Sequence, residues 1–270
     1  MAILRHIITG APHTYYLRCE CTQAAPLLAC PHARLALADI LERLRIACDL
    51  RIYALVVEPQ RYHLILRHQE QIVEYDQQIR ARWRHITTRS TVACQTLRTR
   101  MTSLSDIMQI LQQYSSRAIN RLTGNRGTIW AQRYRACLLA DDAALIAAII
   151  WLHRSPGQQQ DSHHAPSTLH ISPPPVGQLS AEALSFGDEI PRNLAMTIPD
   201  DAVSTMHGLI ASWDDDDVTS YGDALSHGWA IGRPESLIEA TDRLGRRSGR
   251  GRRRRYHDLV DRLGLGVIKG

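Results

Sequence analysis

The chain has 270 residues, enough for one or two domains with a sizeable core. Its 44% hydrophobic content separates it from disordered chains, and it lacks the run of about 18 apolar residues that a membrane span needs. The net charge of +5 conceals three zones: net +9 over residues 1–155, −12 over 156–242 and +8 over 243–270. All the basic residues except Lys269 are arginine. A basic body, an acidic middle and a basic end point to a polyanion partner and to a segment able to shield it; the alternative is arginine spread over solvated faces. The N-terminal MAILRHIITGAPH has too short an apolar run for a secretory signal, so a cytoplasmic location without membrane contact is expected.

Residues Thr14–Thr22 read as a strand, with Tyr15, Leu17, Cys19 and Cys21 on one face. Cys19, Cys21, Cys30 and His32 do not form a standard zinc knuckle, and the six cysteines are expected as buried thiols. Pro31 opens a helix that repeats apolar residues from Leu35 to Ala47. Arg51–Val57 and Tyr62–Arg67 are strands joined by the turn Glu58-Pro59-Gln60, a predicted hairpin. Gln71–Trp83 is a polar helix candidate, and residues 86–100 read as a loop. Ser103 or Ser105 caps a strong helix whose apolar side runs from Ile107 to Leu122, and Gly124 stops it. Gly127–Trp130 is a loop, Arg135–Ala140 a short strand, and Asp141 or Asp142 caps an apolar helix that ends before Pro156.

The order β-α-β-β-α-β-α predicts an α+β, ferredoxin-like antiparallel sheet with packed helices over residues 1–156. Residues 157–180 read as a Pro/Ser/Gln-rich linker, 181–245 as a small, acidic, partly helical region, and 246–270 as a basic tail, the C-terminal part being less ordered. The run Asp214–Asp217 is expected to be a solvated loop rather than a metal cluster, and His163-His164 a solvated pair.

Four stretches carry a resemblance: YALVVEPQRYHLILR (53–67), IRARW (79–83), the block from Leu104 to Pro156, and GRPESLIEATDRLGRRSGRGRRRR (232–255). In order and spacing they resemble the HUH single-tyrosine transposases, in particular the REP-associated tyrosine transposases. The resemblance implies two strand histidines that hold a divalent metal, a helix tyrosine that attacks the scissile phosphate, and a polar metal ligand four residues later. Matched by position, the histidine pair falls on Arg61 and His63, the tyrosine on Trp151, and the polar ligand on Ser155. Arginine cannot ligate a metal and indole has no nucleophilic oxygen. His63 is then a remnant metal position, and no cofactor is expected; Mg or Mn is needed only if a rearranged site works. Tyr114 or Tyr134 is the candidate substitute nucleophile, and His153 a candidate second ligand beside His63.

DNA, as hairpin or single strand, is the expected partner, with a homodimer also possible within the resemblance. Arg117, Arg121, Arg126, Arg133 and Arg135 are the candidate phosphate contacts, with Arg61 as a guanidinium that replaces the metal. Trp83, Trp130 and Tyr134 are candidate base-stacking residues; the alternative for Trp130 and Tyr134 is that they pack the loop against the core. The tail residues Arg250, Arg252, Arg253, Arg254 and Arg255, with Arg246 and Arg247, are a second candidate DNA contact, for which the acidic middle would compete. An active strand transferase and a protein-interaction module without DNA binding are the competing readings.

Overall fold

A computed structural model describes residues 13–22, 26–69, 71–87, 91–131, 133–154, 168–171, 213–245, 255–260 and 264–269. The first strand, β1 (Thr14–Glu20), is central, and its run Tyr15-Tyr16-Leu17 is buried on both faces. Helix α1 (Pro31–Cys48) starts with Pro31 at its first position and ends at Asp49, which takes a left-handed conformation. It leads to the hairpin β2 (Arg51–Val57) and β3 (Arg61–Arg67), closed by Glu58 N–H donating to the Arg61 carbonyl at 2.8 Å. Next come α2 (Asp76–Trp83), α3 (Cys94–Thr102), α4 (Leu104–Thr123), β4 (Arg135–Leu139) and α5 (Asp142–Arg154). The four strands lie in the order β2-β3-β1-β4, all antiparallel, which is the expected ferredoxin-like core.

The alternation of each strand divides the core in two. Tyr15, Leu17, Tyr62, Leu64 and Leu138 point to the face covered by α1 to α4. Tyr16, Ile65, Cys137 and Leu139 point to the face covered by α5. The caps work as the sequence indicates: Ser103 Oγ accepts from Asp106 N–H at 3.2 Å, Gly124 ends α4 at φ 69°, and Asp141 Oδ1 accepts from Ala144 N–H at 2.9 Å.

Four expectations change. Residues 71–75 are not helical; Ile72 is buried as an anchor, and α2 begins only after Tyr75, whose N–H is capped by Gln78 Oε1 at 3.0 Å. Within the expected loop 86–100, helix α3 forms because Cys94, Leu97 and Met101 bury one side, a short stripe masked by Thr and Arg. The run Asp214–Asp217 is a helix start. Asp214 caps α6 (Asp215–His227) by accepting from Asp217 N–H at 2.8 Å, and the following acids sit at the positive end of the helix dipole. Finally, segments of the expected linker, acidic region and tail join the sheet. β5 (Thr168–Ile171) pairs with β2 on one side. On the other, β6 (Gly228–Gly232) pairs parallel with β4 and antiparallel with β8 (Leu265–Lys269), which pairs with β7 (Arg255–Val260). The eight-stranded order is β5-β2-β3-β1-β4-β6-β8-β7. Most of the expected linker lies outside the described residues, as does the arginine run up to Arg254.

Helix α7 (Pro234–Gly245) follows β6 directly and turns Leu237 and Ala240 inward. The Gly-Arg-Pro joint is tight. Arg233 N–H donates to Asp141 Oδ2 at 2.6 Å, and a Cβ on Gly232 would lie 2.8 Å from Ala140 Cβ. One carboxylate, Asp141, thus serves the starts of both α5 and α7.

Candidate functional site

The C-terminal end of β1 and the N-terminal ends of β3 and β4 share one rim of the sheet. Across it, His63, Arg18 and Arg135 are register partners, and Arg61 stands opposite Glu20. All five project to the α5 face, because paired residues share a face and it repeats every second residue.

His63 is buried and both its ring nitrogens are occupied. Nε2 lies 3.2 Å from Glu58 Oε1 and Nδ1 lies 2.6 Å from the Tyr16 hydroxyl. An ionised Glu58 can only accept, so the proton sits on Nε2. Nδ1 then carries a lone pair that accepts from the Tyr16 O–H. Burial pushes the His63 imidazole below its usual 6.5, against the pull of Glu58, and pushes the Tyr16 phenol far above its usual 10. The ring is therefore neutral and the phenol protonated, as this hydrogen-bond chain requires. Burial pushes Glu58 upward, but the hydrogen bond from His63 and the nearby Arg61 and Arg18 charges outweigh it, so the carboxylate stays ionised.

Arg61 completes the chain. Its Nε is 2.9 Å from Glu58 Oε2 and its Nη1 is 3.8 Å from Glu20 Oε1; Arg18 also pairs with Glu20. Two guanidiniums and two carboxylates form a balanced cluster. The Arg61 guanidinium faces these carboxylates, and its side chain stays 37% exposed. Among the described residues, no group of three His, Cys, Asp or Glu is placed to hold a metal, and all six cysteines are free thiols.

Trp151, at the position matched to the nucleophile, reaches this same cluster from α5. Its ring centroid lies 5.7 Å from His63 and 6.0 Å from Tyr16, both edge-on. From the other side α6 closes over it: a Cβ on Gly222 would lie 2.6 Å from Trp151 Nε1. Tyr221 OH donates to the Ala144 carbonyl at 2.8 Å, and Arg18 and Arg135 donate to the hydroxyl and carbonyl of Ser226 at 3.3 and 3.1 Å. The candidate substitutes do not converge here. Tyr114 and Tyr134 pack in the cluster on the opposite face of the sheet, where Tyr134 OH meets Ser105 Oγ at 3.3 Å. Ser155 lies outside the described residues, as does the side chain of His153.

The arginines divide by surroundings. Arg117, Arg121, Arg126, Arg133 and Arg135 are all exposed, and among the described residues no carboxylate pairs with them. The expected stacking residues, by contrast, are core. Trp83, Trp130 and Tyr134 are only 5%, 6% and 4% exposed, and Trp130 Nε1 donates to the Gln112 carbonyl at 3.0 Å. Their size made them anchors of the loop and helices rather than platforms for a base. Arg250, Arg252, Arg253 and Arg254 lie outside the described residues; Arg255 begins β7, and its side chain is not described. Sequence reading missed Tyr16, Glu58 and Gly222. A carboxylate in the hairpin turn and a strand tyrosine were visible, but only the β1–β3 register joins them to His63.

No protein-family profile matches the chain, and no curated protein matches it. Among solved structures, a REP-associated tyrosine transposase bound to a REP hairpin aligns at 13% identity with a TM-score of 0.37, over 59% of this chain and 75% of that one. Among the described residues, no helix is long and apolar enough to cross a membrane.

Proposed function

We propose that this chain is a DNA-binding protein on a transposase-like scaffold whose metal and nucleophile positions no longer perform chemistry. One observation carries the catalytic half of this reading: both nitrogens of His63 are spent on Tyr16 and Glu58, and an indole stands against the ring where the resemblance expects a phenol. A metal would have to displace the Glu58 carboxylate or the Tyr16 hydroxyl, next to the fixed positive charge of Arg61. The DNA half rests on the motif set and on the exposed arginines, which supply phosphate contacts without metal.

The test is an incubation with labelled hairpin and single-stranded DNA in Mg²⁺, Mn²⁺ and EDTA. Binding is read by fluorescence anisotropy, and cleavage or a covalent adduct on denaturing gels. Binding that persists in EDTA, with neither cleavage nor adduct, is the expected result. A metal-dependent adduct makes the protein a working strand transferase. No binding at low salt leaves the protein-interaction reading.

A further inference from the structure

The two most exposed large apolar side chains among the described residues stand two positions apart, on the extended segment that precedes α2. Val73 is 90% and Tyr75 83% exposed. A spacing of two puts both on one side of an extended chain. Exposure alternates accordingly: Gln71, Val73 and Tyr75 face solvent, whereas Ile72 is buried and Glu74 half-buried. A single exposed apolar residue is ordinary on a protein surface; a valine and a tyrosine side by side form a ridge that contributes almost nothing to the core.

The ridge is held from behind. Ile72 packs in the cluster on the α1–α4 side of the sheet. Arg82 Nη1 lies 2.6 Å from Glu74 Oε1, and its Nε donates to the Ala47 carbonyl at 2.9 Å, which ties the segment to α1. Arg98 of α3 donates to the Glu74 carbonyl at 2.6 Å and pairs with Asp76 Oδ1 at 2.8 Å. Both neighbours of Tyr75 are thus fixed, and docking onto the ridge orders little of the backbone. The surrounding charge is one-sided. Residues 71–102 hold six arginines against two acids, Glu74 and Asp76. Those two are engaged by Arg82 and Arg98, while Arg80, Arg84 and Arg100 are exposed on α2, at its end and on α3.

We propose that Val73 and Tyr75 form a docking ridge for an acidic, apolar peptide segment of a partner protein. Apolar side chains of that segment cover the two residues, and its carboxylates face the exposed arginines. The positive rim selects an acidic occupant. It disfavours a second copy of this chain, because a two-fold contact through the same patch sets Arg80, Arg84 and Arg100 of both copies against each other. Size disfavours it as well: a tyrosine and a valine offer a few hundred Å², short of the roughly 1,200 Å² at which stable specific interfaces begin. A nucleic acid makes poor use of the ridge, since Val73, the more exposed of the pair, has no π face for a base. The ridge stands on the side of the sheet opposite His63 and Trp151, and the inference is independent of the DNA-binding reading.

The test is fluorescence anisotropy of the full chain with a short labelled synthetic peptide in which Glu and Leu alternate. Two companions carry Lys in place of Glu and Ser in place of Leu. The Glu–Leu peptide should bind at least about tenfold tighter than either companion. Val73→Ser and Tyr75→Ser should each weaken it about tenfold, the scale of one buried apolar side chain. Ile238→Ser removes another exposed apolar side chain, on α7, and should change nothing. Arg84→Gln should weaken binding about twofold, an effect that shrinks as salt rises. Circular dichroism and thermal melting establish that the variants fold. The proposal is overturned if the wild type does not bind the Glu–Leu peptide, if either companion binds equally well, or if the ridge variants bind like the wild type. Sedimentation of the protein alone covers the second copy: a dimer that Tyr75→Ser dissociates makes this chain its own partner and sinks the acidic one. If the peptide fails to bind and the ridge variants instead weaken binding of a labelled oligonucleotide, the surface is a nucleic-acid contact and the proposal falls.

Discussion

Gly222 sits inside helix α6 with no positive φ, where alanine is ordinarily better by about 1 kcal/mol. Here a Cβ would fall 2.6 Å from Trp151 Nε1 and 3.0 Å from both Cε2 and Cζ2. The indole has little room to retreat, because His63 and Tyr16 stand against it and are hydrogen-bonded to each other. Overpacking of this kind costs about 1–3 kcal/mol, so the clash cancels or exceeds the helix gain. Gly222→Ala should therefore destabilise the protein by about 0–2 kcal/mol. In a Trp151→Leu background the obstacle is gone, and the same change should stabilise by about 1 kcal/mol. Urea denaturation of the four proteins of this double-mutant cycle measures the coupling, expected at about 1–3 kcal/mol. If Gly222→Ala stabilises both backgrounds equally, α6 does not close on Trp151 and the account of a sealed site fails.

Trp151→Tyr restores a phenol at the position matched to the nucleophile, yet it should yield no covalent DNA adduct in Mg²⁺ or Mn²⁺, because His63 remains bound to Tyr16 and Glu58. An adduct on a denaturing gel would refute this. Stability should fall as pH drops. His63 and His68 are held below their usual 6.5 by burial, so the unfolded chain takes up protons that the fold refuses. That contribution is complete above about 6.5 and is lost toward the lower folded values; Glu58, also lowered, adds a second loss further down, through the carboxylate range. Chemical denaturation between pH 8 and pH 4 checks the sign, and greater stability at pH 5 than at pH 7.5 would contradict it. Asp214→Ala should cost about 1 kcal/mol although it removes one charge from a four-acid run, since the cap bond to Asp217 N–H is lost. A melting temperature at or above that of the wild type would show that repulsion outweighs the cap.

The core was legible where the sequence repeats at short range. Strand alternation, the Glu58-Pro59-Gln60 turn, Ser103 before Ile107 and Gly124 after Leu122 are local signals, and β1 to β4, α4 and α5 follow from them. What failed to show was non-local or short. Helix α3 has only three buried residues. Strand β6 is five residues long, and its parallel pairing with β4 joins Leu138 to Ala230, a connection that no local pattern encodes. The candidate site was half legible. Position matching selected Arg61, His63 and Trp151, and the fold brings all three to one cluster; but Tyr16 and Glu58, which decide what His63 can do, become its partners only through the β1–β3 register and the hairpin turn. Trp83, Trp130 and Tyr134 were candidates for base stacking, with core packing the alternative for Trp130 and Tyr134; all three are buried, because large rings beside an apolar helix stripe are worth more in the core.

Arg61 has a structural role of its own. Glu58 is mostly buried, and Glu20 lies on the same face. Without Arg61 the mostly buried Glu58 would keep only the more distant charge of Arg18, and an unpaired buried carboxylate costs several kcal/mol. A metal would supply a neighbouring cation, and so does the guanidinium of Arg61, permanently and without dissociation. Replacing Arg61 with histidine alone would remove its charge, leave His63 engaged and leave Trp151 in place, so on the proposed reading metal chemistry requires concerted changes at several contacts. The same pairing separates two groups of arginines. On the α5 face Arg18 and Arg61 are neutralised internally, whereas on α4 and its loop Arg117, Arg121, Arg126 and Arg133 keep their charge facing solvent. A polyanion is attracted to the second set whatever happens at the first, so the proposed DNA binding does not depend on a metal site.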